Sequence, residues 1–88
     1  MGNAVKLGDI GTAHGSYPPT PVTAGSGTVK ADNMPIARQG DPLAAHGHPR
    51  AINAGSSTVF VDGKPAARTG DAVSCGGGVI GGGSVNIG

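Results

Sequence analysis

Apolar and polar positions alternate along this chain only in very short runs. Val5 and Leu7 alternate with Lys6, and the segments 28–31, 34–38 and 58–61 have the same strand character, each ended within a few residues by a turn signal. Asp62-Gly63 lies between two such runs and predicts a type I′ hairpin, whose central residues both need positive φ. Asp32-Asn33 predicts a tight turn in the corresponding place, and Gly25–Gly27 and Gly55-Ser56 predict two more. Pro18, Pro19 and Pro21 cannot donate to a ladder, so that stretch is expected at the surface or on a sheet edge. Gly76–Gly78 and Gly81–Gly83 are expected as loop or tight crossing around Val79-Ile80. No segment carries a 3.6-residue apolar period long enough for a helix. The pattern predicts an all-β chain.

The runs are not independent. Ala24–Asp41 and Ala54–Asp71 align without gaps over 18 columns, of which 11 are identical, ending in Pro-Ile-Ala-Arg-Gln-Gly-Asp and Pro-Ala-Ala-Arg-Thr-Gly-Asp. A fixed period of this kind means one supersecondary unit repeated. A third copy of the second half stands at the N-terminus as Asn3–Asp9, with Lys6 in the place of Arg38 and Arg68. Its missing first half is matched at the other end, where Ser84-Val85-Asn86-Ile87 resembles Thr58-Val59-Phe60-Val61. The third repeat is therefore expected to be split between the N- and C-termini. Closure into a pseudo-threefold body follows, with Val5 and Leu7 neighbouring Val85 and Ile87.

Composition limits what such a body can be. With 88 residues it is expected to be a single domain, residues 1–88, with no fused effector or adaptor domain. Its apolar residues are mostly Ala and Val, and Phe60 and Tyr17 are its only aromatics, so a second source of stability beside the core is expected. A formal charge of +1 is not the basic surface that nucleic acid demands, and no apolar run is long enough to span a bilayer. A lone cysteine forms no internal disulfide, so synthesis and assembly in the cytosol are expected.

The candidate chemistry sits at one phase of the repeat. Four residues separate Gly8-Asp9 from His14 and Gly40-Asp41 from His46, which Gly47 and His48 follow; three separate Gly70-Asp71 from Cys75. All three histidines and the cysteine thus fall at equivalent points, which converge if the units surround an axis. His14, His46, His48 and Cys75 form a donor set that suits tetrahedral zinc, with iron or nickel also compatible. His46 and His48, two apart in an extended segment, are expected to point to one side, with Gly47 leaving room for both rings. The Asp of each Gly-Asp is expected to make a side-chain turn to backbone N–H groups two residues on, with an outer hydrogen bond to a ligand His as the alternative. Lys6, Arg38 and Arg68 predict either a repeated structural hydrogen bond or a ring of positive charge. Four protein ligands leave tetrahedral zinc no open position, the chain has no Glu, and all five Asp fall in turns. An enzyme is not expected.

With Pro65-Ala66-Ala67-Arg68, Pro35-Ile36-Ala37-Arg38 and this ligand pattern, the chain resembles the PAAR-repeat proteins from Ala4 to Ile87. The resemblance implies a small cone of short β-hairpins that caps the trimeric β-helical spike of type VI secretion systems, contractile phage tails and related machines. It implies zinc near the vertex, held by three His and one Cys, here His14, His46, His48 and Cys75. It also implies one copy per trimer, delivery outward on the spike, and purely mechanical contact with the target membrane. A free-standing metal-binding or metal-sensing module is the alternative function.

Overall fold

The computed structural model describes residues 2–13 and 17–87. Its eleven strands are two residues each: β1 (Gly2–Asn3), β2 (Ile10–Gly11), β3 (Thr20–Pro21), β4 (Lys30–Ala31), β5 (Met34–Pro35), β6 (Pro42–Leu43), β7 (Arg50–Ala51), β8 (Phe60–Val61), β9 (Lys64–Pro65), β10 (Val79–Ile80) and β11 (Asn86–Ile87). No helix forms among the described residues. The small all-β cone these strands build is elongated, 32 × 22 × 21 Å.

The segments around the two Pro-x-Ala-Arg stretches and their N-terminal counterpart close on one another. Val5 N–H donates to the Ala67 carbonyl (3.0 Å), Ala67 to Ala37 (3.0 Å), and Ala37 back to Val5 (2.8 Å). A second ring repeats it, from Leu7 to Pro35 (2.9 Å), Gln39 to Pro65 (2.8 Å) and Thr69 to Asn3 (3.0 Å). The prolines, which have no N–H, serve in that ring as acceptors only. A three-sided ladder closed in this way has no free edge.

Three hairpins flank the ring. β4 and β5 turn through Asp32 (φ 50°) and Asn33 (φ 66°); β8 and β9 turn through Asp62 (φ 54°) and Gly63 (φ 78°). Two successive positive φ values are type I′ geometry, expected from the sequence at Asp62-Gly63 and found also at Asp32-Asn33, where the sequence predicts only a tight turn. In the third hairpin the termini replace the turn: Asn3 pairs with Asn86 and Gly2 with Ile87. The split repeat is therefore real, but its register differs from expectation. Gly2, Asn3 and Ala4, rather than Val5 and Leu7, meet the C-terminal strand, Ala4 N–H donating to the Val85 carbonyl at 2.7 Å. Val5 is committed to the closed ring instead.

After each ring strand comes one turn, made three times. Gly8, Gly40 and Gly70 have φ of 89°, 95° and 94°, and the following Asp N–H bonds back to the carbonyl of Lys6, Arg38 or Arg68. A positive-φ glycine in third place is the type II signature. The Asp carboxylates reach back three residues, not forward two. They accept the N–H of Lys6 (3.0 Å), Arg38 (2.8 Å) and Arg68 (2.7 Å) and pair with the same residues' cationic groups. Lys6, Arg38 and Arg68 are thus repeated structural clasps. The clasp explains how Asp9, Asp41 and Asp71 tolerate burial.

Apolar residues stack in two layers around the axis. Ala4, Ile36 and Ala66 pack with Ala31 and Val61 at the hairpin end, joined by Val59 and Ile87. Val5, Ala37 and Ala67 pack with Val22, Ile52, Val79, Leu43 and Val73 above them, where Cys75 borders the cluster. Small side chains suit this geometry, because three backbones approach the axis together. Gly25, Gly55 and Gly81 show the same constraint, since an added Cβ would lie 2.7, 2.7 and 2.5 Å from a neighbouring strand.

The hairpin-turn carboxylates also join one unit to another. Asp62 accepts from Ser26 and Thr28 and from Arg38 Nη1 (2.9 Å), while Asp32 accepts both the hydroxyl and the amide of Ser84 (each 2.7 Å). The Ser84 bonds hold Asp32 below the usual carboxylate range, and those from Ser26 and Thr28, helped by Arg38, do the same for Asp62. A depressed folded pKa gives stability that is present above the unfolded carboxylate range and lost as pH falls through the folded value. In metal-free protein the contribution of these two carboxylates to the melting temperature is therefore expected to be level near neutrality and to be lost below about pH 4. Asp32→Asn with Asp62→Asn should flatten that fall; a titration curve unchanged by the pair would remove these carboxylates as its cause.

Candidate metal centre

Three loops extend beyond the upper apolar layer. The loop after β6 carries His46 and His48, the one after Val73 carries Cys75, and the Tyr17–Pro19 stretch passes beside them. His46, His48 and Cys75 are brought together, their ligand atoms all within 4.8 Å of one another. His14, the fourth residue expected from the sequence, lies outside the described residues.

The donor geometry fits a metal. Cys75 Sγ is 3.6 Å from His46 Nε2. Bonds of about 2.3 Å to sulfur and 2.0–2.1 Å to nitrogen place two such atoms about 3.6 Å apart across a tetrahedral zinc. His46 Nδ1 lies 2.6 Å from the Pro18 carbonyl, an acceptor only, so Nδ1 donates and Nε2 keeps its lone pair toward Cys75. A ligand imidazole fixed by a carbonyl on its far nitrogen is the usual outer arrangement around a bound metal. His46 is buried, and the Nε2 atom of His48 is closed off from solvent.

The His46-Gly47-His48 segment is bent rather than extended, with Gly47 at φ 102°. The two imidazoles meet edge to face, centroids 4.8 Å apart. Gly47 leaves room not for those rings but for Tyr17, whose Cε1 would stand 2.8 Å from a Cβ there. Tyr17 lies against both histidines, at centroid distances of 5.1 and 4.7 Å, and walls the cluster from outside.

The residue that sequence reasoning missed is Arg50. Only 3% exposed, it donates from Nε to Cys75 Sγ (3.2 Å), from Nη1 to Thr20 Oγ1 (2.8 Å), and from Nη2 to the Thr12 carbonyl (2.9 Å). Longer contacts run to the Gly11 and Gly76 carbonyls, both 3.4 Å. Arg50 precedes Ile52 by two, as Thr20 precedes Val22, so extending the repeat backward would have placed an arginine at an inward-facing phase.

No curated protein matches the chain. A family model described as PAAR motif matches residues 12–81 of the 88. That motif implies a spike-tip role in contractile injection machines in general. With the match spanning the second and third ring strands, both clasps of the full repeats and every described residue of the His–Cys cluster, the chain belongs to the PAAR-motif family.

Proposed function

We propose that this chain is the metal-braced tip of a trimeric β-helical spike, one copy seated on each trimer. The observation that carries the reading is the closed ring through Val5, Ala67 and Ala37, which gives one chain three similar sides. A trimer ends in three equivalent strand edges, and a single capping chain must answer each of them. Main-chain pairing suits that contact, because backbone recognition tolerates the sequence differences between the units. Val29, Met34, Phe60 and Val85 expose apolar surface on or beside the hairpins, where such a partner would rest.

At the other end, His46, His48 and Cys75 would hold the ion, with His14 as the fourth ligand and zinc as the metal the donor set favours. A bound ion supplies cross-links between apical loops that have too few apolar side chains to pack. The tip then acts mechanically, without catalysis, travelling outward on the spike. Co-expression with the cognate spike trimer and native mass measurement tests the reading. One copy per trimer is expected; three copies, or no binding at about micromolar concentration, a weak affinity by interface standards, would overturn it.

A further inference from the structure

We propose that Arg50 is a positioning residue of the metal centre: its guanidinium holds Cys75 Sγ turned toward His46 Nε2 and ties the surrounding loops together, so that the ion enters a site already assembled. The proposal rests on the reading of the His–Cys cluster as a metal site.

A buried charge is costly unless it is both paired and hydrogen-bonded. Arg50 is nearly inaccessible, yet the five Asp carboxylates are all engaged elsewhere. Asp9, Asp41 and Asp71 close the clasps, Asp62 serves Ser26, Thr28 and Arg38, and Asp32 serves Ser84. Among Arg50's acceptors only the sulfur of Cys75 can become anionic, as it does when it ligates a metal. The others are neutral oxygens whose negative ends face the guanidinium and offset its repulsion of a nearby cation.

Geometry also singles out arginine. A guanidinium presents five N–H donors in a rigid planar fork, whereas a lysine ammonium is a single point. The fork of Arg50 spans Cys75 on one side, Thr20 and Gly11 on the second, and Thr12 and Gly76 on the third. Val22, Ile52 and Val79 each donate N–H to the carbonyl of a clasp Asp, so Thr20 and Gly77 are the positions that match Arg50, and they leave it space. Thr20 is short and serves as a partner, and a Cβ on Gly77 would come within 3.5 Å of Nη2. One side chain thus occupies the axial position for all three units and cross-links their loops without an ion.

Two consequences follow. First, Cys75 should be held in the metal-free protein as it is in the loaded one. Second, an N–H bond to a ligating sulfur withdraws electron density from it, the kind of outer contact that tunes a metal–thiolate site.

The test begins with the intact chain, whose three arginines give only three Nε–H signals by NMR. The Arg50 signal, identified by its loss in Arg50→Lys, is expected to be protected from solvent exchange in both metal-free and zinc-loaded protein. Rapid exchange in the metal-free form would overturn preassembly, whatever the variants do. In folded Arg50→Gln, zinc affinity by chelator competition should fall roughly 10- to 100-fold, the usual consequence of losing an outer-shell partner. The sulfur-to-metal charge-transfer band of the Co2+-loaded variant should move to lower energy, and Arg50→Lys should fall between the two proteins. Unchanged zinc affinity and an unchanged band in folded Arg50→Gln would overturn the role. Failure of the wild-type chain to bind Zn2+ or Co2+ would instead defeat the metal reading, and the exchange measurement would still report the Arg50–Cys75 contact.

Discussion

Removing residues 84–88 is expected to lower the melting temperature by roughly 12 °C or more, far beyond the effect of trimming an ordinary frayed end. The segment supplies one strand of a hairpin whose other strand is at the N-terminus, so its loss undoes the closure of the body. Four contributions go together: the Ala4–Val85 bond, the pairing of Gly2 and Asn3 with Ile87 and Asn86, the packing of Ile87 on the Ala31–Val61 layer, and both Ser84 bonds to Asp32. At about 1 kcal/mol net for each main-chain hydrogen bond and a similar amount for a partly buried aliphatic side chain, and with nothing counted for the solvent-exposed Ser84 bonds, the total is on the order of 3 kcal/mol. That is a large share of the roughly 5–15 kcal/mol by which small domains are stable. Differential scanning calorimetry of full-length and truncated chains measures it. An unchanged transition would mean that the ring formed by Val5, Ala37 and Ala67 closes without its third hairpin.

How much of this was legible in the sequence depended on whether a local rule or a convergence of distant segments decided the outcome. Asp62-Gly63 announced a type I′ turn because the required positive φ restricts residue choice there, while Asp32-Asn33 announced only a tight turn, whose type I′ form the structure supplies. The threefold plan was legible because Arg38, Arg68 and Lys6 recur with their Gly-Asp partners, and the structure makes each set into the same clasp. Register was not legible. Strands of two residues carry too little alternation to fix it, and the closed ring took Val5 while the terminal hairpin took Gly2 and Asn3. The direction of the Asp side chains was missed because an aspartate after a turn glycine can bond either way; three half-buried cations upstream settle it backward. Convergence of His46, His48 and Cys75 followed from repeat phase alone, yet the bend at Gly47 and the Tyr17 ring that fills the space of a side chain there are encoded by no periodicity. Arg50 was hidden for the same reason, because its partners lie in segments far apart in sequence.

Stripping the metal is expected to have the largest effect of all. Purified without chelator, the protein should contain one metal ion per chain, predominantly zinc, by elemental analysis. The two apolar layers are built largely from alanine and valine, and above them the apical loops are joined chiefly by the Arg50 bonds and the His–Cys cluster. An ion that binds only the folded chain stabilises it by about 4 kcal/mol when its free concentration is 1,000 times its dissociation constant. At about 4–8 °C per kcal/mol for a domain of this size, chelation should lower the melting temperature by roughly 20 °C. The loss need not reach complete unfolding, because the ring hydrogen bonds and Arg50 remain. His46→Ala, His48→Ala and Cys75→Ala should each reproduce most of it, and His14→Ala tests the fourth ligand proposed from the repeat. The quadruple variant should melt no lower than the metal-free wild type by more than the contacts its own truncations remove. Stoichiometric metal absent from the purified chain would end the metal reading. Retention of full affinity in His14→Ala would keep the centre but assign its fourth position to another donor.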